Sequence, residues 1–183
     1  QHVEEAAVGV APDARGRHHV AERAAALGAE RFVLDDGWFG RRDDDTSSLG
    51  DWVIDPRKHP QGFRPLIDRV RALGMRFGLW FEPEMISENS DLHRAHPDWV
   101  LGPADQIRGR DQLHLDMSRA DVRDYLFDRL GGILGAWDID YVKWDHNRLP
   151  PFPDAAQTRG VYALLDRLRA AHPSVEFESC ASG

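Results

Sequence analysis

Five short apolar runs in this chain each end in a carboxylate: Arg31-Phe32-Val33-Leu34-Asp35-Asp36, Phe77-Gly78-Leu79-Trp80-Phe81-Glu82, Leu113-His114-Leu115-Asp116, Tyr141-Val142-Lys143-Trp144-Asp145 and Val175-Glu176-Phe177-Glu178. Such runs are too short for helices and too uniformly apolar for half-exposed strands. They read as strands buried on both faces, the condition of a parallel sheet covered by helices. In a barrel of parallel strands the strand ends meet at one mouth, so acids at those positions converge into a polar site.

Two segments repeat the same step. Arg23-Ala24-Ala25-Ala26-Leu27-Gly28 leads into the run from Arg31, and Arg69-Val70-Arg71-Ala72-Leu73-Gly74 leads into the run from Arg76. Each reads as helix, glycine stop, buried strand, with the glycine in the left-handed position that closes a helix. Ser118 is placed to cap a helix over 121–134 that Gly135 stops, and a further helix is expected from Ala155 to Ala171 with Val161, Leu164, Leu165 and Leu168 inward. Strand starts about 28 to 45 residues apart fit βα units with insertions at the mouth, here 39–63 and 83–111. The expected fold is therefore α/β, part of a (β/α)₈ TIM barrel over residues 20–183, preceded by a segment 1–19 with no convincing strand. An open doubly wound sheet is the alternative, but no glycine-rich phosphate fingerprint follows any strand.

Composition narrows the function. Of 183 residues, 42% are hydrophobic and 30% charged, as in ordinary globular domains, and a formal charge of −8 with interspersed cations excludes a basic nucleic-acid surface. No apolar run approaches the roughly 20 residues that span a bilayer. One cysteine, Cys180, rules out an internal disulfide framework and fits a reducing, cytoplasmic setting. His93 and His96 share one helix face but no metal-site pattern accompanies them, so neither a metal nor another cofactor is expected.

The densest candidate for chemistry is Lys143-Trp144-Asp145-His146-Asn147-Arg148, where period-two alternation puts Lys143 and Asp145 on one face. A nearby ammonium favours an ionised carboxylate, the state a nucleophile needs; a plain ion pair at a strand end is the bland alternative. Asp35-Asp36-Gly37-Trp38 offers adjacent acids to accept from sugar hydroxyls and an indole for a sugar face, or else a turn with a core tryptophan. Trp52 reads the same two ways. Glu82 and Glu84 flank a proline and suit support better than catalysis; Arg110 is either a donor fork at the mouth or a solvated surface group. Cys180 suits the lining of a pocket, there being no base in sight to activate it.

Taken in order, Leu34-Asp35-Asp36-Gly37-Trp38-Phe39-Gly40, Gly50-Asp51-Trp52, Trp80-Phe81-Glu82-Pro83-Glu84, Gly109-Arg110-Asp111-Gln112 with Leu115-Asp116, Lys143-Trp144-Asp145-His146-Asn147-Arg148 and Glu178-Ser179-Cys180 resemble the family 36 glycoside hydrolases, retaining α-galactosidases. The resemblance spans about residues 20–183 and implies strands two to six of a (β/α)₈ barrel that hydrolyses terminal α-galactosyl units of melibiose- and raffinose-type oligosaccharides without a cofactor. It implies that Asp145 is the nucleophile, that Asp35 and Asp36 hold galactose hydroxyls, that Trp52 flanks the sugar, and that Arg110, Lys143, Asn147 and Cys180 line the pocket. The acid/base aspartate of that pattern lies in a Ser-Asp motif beyond the glycine run that Gly183 enters, so these 183 residues alone are expected to be inactive. Transfer of galactose to another hydroxyl, or sugar binding without turnover, are the competing functions. Oligomeric state is not fixed by these residues; a homo-oligomeric intact enzyme is compatible with them.

Overall fold

A computed structural model describes residues 5–8 and 14–180. In chain order the elements are β1 (Glu5–Val8), α1 (Ala14–Ala26), β2 (Arg31–Leu34), α2 (Arg64–Ala72), β3 (Arg76–Phe81), β4 (Met85–Ser87), α3 (Asp91–Ala95), β5 (Gln112–His114), α4 (Ala120–Ala136), β6 (Tyr141–Trp144), α5 (Ala155–Ala171) and β7 (Glu176–Ser179). The main sheet is wholly parallel in the order β1-β2-β3-β6-β7, while β4 and β5 form a separate antiparallel pair. Parallel neighbours joined through helices are the construction of a (β/α)₈ barrel, of which these staves form an unclosed arc.

Both helix–glycine–strand steps close as expected. After α1 the amide of Ala29 donates to Ala24 O and that of Gly28 to Ala25 O; after α2 Met75 donates to Val70 O and Gly74 to Arg71 O. This is the paired bonding of a Schellman turn, and it places Gly28 and Gly74 at φ of +88° and +81°. The chain then drops into β2 and β3, whose residues from Phe32 to Leu34 and from Phe77 to Phe81 are buried. Helix α5 runs over the expected residues, with the Asp154 carboxylate accepting from Ala156 N at 2.7 Å as its cap.

Three expectations are corrected. The segment before residue 20 does contain a strand, β1, paired with β2 from Glu5 opposite Arg31 to Val8 opposite Leu34. The run from Leu113 is not a stave: β5 pairs with β4, with Met85 opposite His114, and β3 lies directly against β6, with Trp80 opposite Lys143. Asp116 is consequently absent from the mouth and instead accepts from Ser118 N at 3.0 Å in the turn before α4. Ser118 gives its hydroxyl to the same carboxylate at 2.5 Å, so it does not cap α4, which starts after Arg119 without a side-chain cap and runs past Gly135 to Ala136.

The insertion 39–63 folds inward on aromatics. Trp38 contacts Phe39, Trp52, Phe63 and Phe81 with centroids 5.1 to 6.0 Å apart, forming a floor beneath the ends of β2 and β3. Such contacts bury large apolar area and fix the loop against the sheet.

Candidate active site

The C-terminal ends of β2, β3, β6 and β7 carry Asp35, Glu82, Asp145 and Cys180, each the first residue beyond its strand. The parallel register aligns these ends, with Phe81 opposite Trp144 and Trp144 opposite Ser179. Asp145 is 8% exposed. Its Oδ2 accepts from Trp80 Nε1 at 3.0 Å and from Asn147 Nδ2, and its Oδ1 accepts from the amide of His146 at 2.9 Å. Donors at both oxygens fix the orientation of the carboxylate.

Lys143 faces the same mouth, two residues earlier on β6. Its Nζ donates to Asp35 Oδ2 at 3.0 Å, so the pair that forms joins Lys143 to Asp35 across the sheet. Asp35 Oδ1 accepts from the amide of Asp36 at 2.8 Å. Asp36 is clamped by Arg42, whose Nε and Nη2 reach its two oxygens at 2.8 to 3.1 Å while Nη1 donates to Ser47 O. The Arg42 side chain is 1% exposed against 20% for Asp36: the cation is buried and the acid is the part that meets solvent. A bidentate guanidinium holds a carboxylate in one plane.

The other sequence candidates fall in different places. Trp52 is 1% exposed within the aromatic floor, against Phe39 at 4.4 Å and Phe81 at 5.4 Å; its ring offers no open face to a sugar, and its Nε1 is buried without a hydrogen-bond partner. Arg110 is exposed at the tip of a Gly109–Gln112 turn, where it and Asp111 take φ of +53° and +55° and Gln112 N donates to Gly109 O. Two successive left-handed residues other than glycine are uncommon and mark a constrained loop. Cys180 is partly buried and donates its amide to Trp144 O at 2.7 Å. Burial, with the Asp145 charge beside it, pushes its thiol up, so it lines the mouth as a neutral group.

Residue reading passed over three groups. Trp80 was visible only as part of a buried run, although it sits two residues before Glu82 on the same strand face. Arg42 lies in the 39–63 mouth insertion and was not singled out by its sequence, and Gln112 had no stated role. Glu82 is 1% exposed, its Oε1 accepting from Asn147 N at 2.7 Å and its Oε2 from Gln112 Nε2 at 3.2 Å. Desolvation, reinforced by the Asp145 charge, pushes its carboxyl up to about 7. Glu84 accepts from Trp144 Nε1 at 3.2 Å and faces His146 Nδ1 at 3.4 Å, which raises the His146 imidazole. A concavity of about 1530 Å³ runs along α5 and β7 to Glu84 and His146 and does not include Asp145.

The melibiase family profile matches residues 7–183. The chain belongs to the melibiase family. It is 51% identical over 175 residues to an α-galactosidase of Escherichia coli, covering 90% of this chain and 24% of that one. Among solved structures, the galactosidase domain of the α-galactosidase-sucrose kinase AgaSK superposes over 100% of this chain and 27% of its own, at 41% identity and a TM-score of 0.89. A variant of AgaA, a family 36 α-galactosidase from Geobacillus stearothermophilus in complex with raffinose, does so at 40% identity and a TM-score of 0.88, over 100% of this chain and 28% of its own. This melibiase chain thus spans about a quarter of the length of the relatives it matches. Among the described residues no helix is long and apolar enough to cross a membrane, and no three His, Cys, Asp or Glu side chains are grouped to hold a metal ion.

Proposed function

We propose that these residues furnish the nucleophile and the galactose-binding wall of a retaining α-galactosidase that acts on raffinose-type oligosaccharides. The observation that carries the reading is the Asp145 carboxylate at the end of β6, oriented by hydrogen bonds from Trp80, Asn147 and a backbone amide, next to the Asp35–Lys143 pair. Asp145 attacks the anomeric carbon as the glycosidic C–O bond breaks, and its charge is consumed in the ester to galactose. Water then attacks that ester and releases the sugar. Asp35 and Lys143 present an acceptor beside a donor, the complement of neighbouring hydroxyls, and Asp36 keeps lone pairs outside the Arg42 clamp for a further one. Arg110, Asn147 and Cys180 complete the wall in this reading, with Trp52 stiffening it from behind.

The leaving oxygen needs a proton from a second carboxyl about 5 to 5.5 Å from the first. Glu82 is unsuited to that role, because both its oxygens are engaged by Asn147 and Gln112 and its side chain is closed to a substrate. The acid/base aspartate is therefore assigned to a part of the enzyme outside these residues, and the 183-residue chain by itself is expected to give no turnover. A cytoplasmic location belongs to the same reading, supported by a single cysteine in the sequence.

In a family-length protein carrying this segment, Asp145→Ala is expected to lower kcat on raffinose by at least about 10⁴-fold. NMR of the first product made by the unmutated enzyme is expected to show α-galactose. Full activity in the variant removes the nucleophile assignment, and β-galactose as first product removes the retaining mechanism.

A further inference from the structure

Glu82, only 1% exposed at the end of β3, touches two segments that form the site. Its Oε1 takes the amide of Asn147, whose side chain donates to Asp145, and its Oε2 takes the side chain of Gln112, which closes the turn that presents Arg110. These partners arrive from different directions: Asn147 follows β6 of the main sheet, and Gln112 opens β5 of the separate pair. His114, two residues after Gln112 on β5, also places its Nε2 2.8 Å from the carbonyl oxygen of Arg148, in the loop that follows β6.

We propose that Glu82 is a positioning residue that couples the nucleophile loop to the Arg110 turn, so that one buried side chain sets the distance between the attacking carboxylate and an arginine on the opposite wall. The proposal rests on the reading of Asp145 as nucleophile. A carboxyl is suited to the task because it offers two acceptors in one rigid plane, one for each segment. The charged and titratable groups around it are Asp145 and His146 from the end of β6 and Arg110 from the turn. The loop it restrains is strained at Arg110 and Asp111, a geometry that persists only where the surroundings hold it. The Gln112 Oε1 atom is buried without a partner, so a glutamine at position 82 could bond there after rotation of the Gln112 amide while still accepting from Asn147.

The test uses a family-length enzyme carrying this segment, with raffinose kinetics on folded, purified variants. Glu82→Ala is expected to lower kcat about 10²-fold, the cost of a misplacement of about 1 Å, and to raise KM with it, because both segments are released together. Glu82→Gln is expected to recover at least about tenfold of the lost kcat, since it keeps both hydrogen bonds. Arg110→Ala is expected to raise KM in the unmutated background and to add less than about twofold in the Glu82→Ala background, the mark of residues that act through each other. Fully multiplicative Glu82 and Arg110 effects, or a folded Glu82→Ala enzyme with unchanged kcat and KM, overturn the coupling. If Glu82→Ala does not fold, the same cycle is run with Glu82→Gln and Gln112→Ala, where independent effects overturn it equally. Asp145→Ala is measured alongside: activity there defeats the nucleophile reading, whereas its loss with an unaltered Glu82→Ala enzyme defeats this inference alone.

Discussion

Arg42 shows how much of the proposed sugar site is held by a group that is itself closed to solvent. Its guanidinium is 1% exposed and spends three nitrogens on Asp36 and Ser47 O, leaving the carboxylate to face outward. Arg42→Met removes the cation but leaves the acid largely covered, so we expect a loss of about 3 kcal/mol in urea denaturation, as for other ion pairs broken from one side. Adding Asp36→Asn to that variant is expected to restore a good part of the loss; no recovery would mean that Arg42 contributes through packing. Residues such as Asp35, Asp36, Lys143, Asp145 and Asn147 were legible because strand ends and period-two alternation fix where side chains point. Arg42 was not, since it lies in an insertion rich in Asp, Gly and Pro whose inward fold depends on tertiary contacts that local composition does not encode; Trp52, in the same insertion, was open to a sugar face or to packing, and it is buried in the aromatic floor. The expected partner of Lys143 was half right: the face was correct, but the acid that it reaches is Asp35, just beyond β2, three strands of the sheet being needed to see it.

At the level of elements, the glycine stops of α1 and α2 and the span of α5 were readable, while the ends of α4 and the membership of two strands, β1 and β5, were not. Glu5-Ala6-Ala7-Val8 holds one β-branched residue and no aromatic, a weak strand by propensity, yet it pairs along its length with β2. Gln112-Leu113-His114 looks like a stave and is not one, because a short apolar run carries no record of which sheet will accept it. Helix α5 is docked more closely than its sequence suggests. A Cβ on Gly160 would stand 1.9 Å from the carbonyl oxygen of Met117, and next to it Gln157 bonds both Met117 N at 2.8 Å and Leu115 O at 2.9 Å. Gly160→Ala, which would stabilise an isolated helix, is therefore expected to destabilise the family-length protein by about 1 to 3 kcal/mol, read from its denaturation midpoint. An unchanged or raised midpoint would show that α5 can step away from the 115–117 segment at no cost.

For the whole molecule, three buried groups set an opposed pH dependence. His59 and His114 are pushed down to about 4, by desolvation first, while Glu82 is pushed up to about 7. Below the ordinary histidine value near 6.5 the unfolded chain binds protons that the folded histidines refuse, so stability falls with pH; above about 4.5 the unfolded chain releases a proton that folded Glu82 keeps, so stability falls as pH rises to about 7. Between about 4.5 and 6.5 two groups oppose one, leaving a net rise of about 1.4 kcal/mol per pH unit, and from 6.5 to 7 only the Glu82 decline remains. These three contributions together peak near pH 6.5, and Glu82→Gln is expected to lessen the decline above that pH in urea titrations of the family-length protein, the raised His146 imidazole supplying the remainder; an identical decline in the variant would assign none of it to Glu82. The Asp35–Lys143 and Trp80–Asp145 contacts have a last consequence, for the order in which the protein assembles. They join residues 108 and 65 positions apart, and β3 must lie between β2 and β6 before either can form. Contacts of such long sequence separation pay their loop-closure entropy first and are rewarded late. A half-built version of this site is therefore not expected early in folding: it is complete only once the sheet from β2 to β6 has zipped.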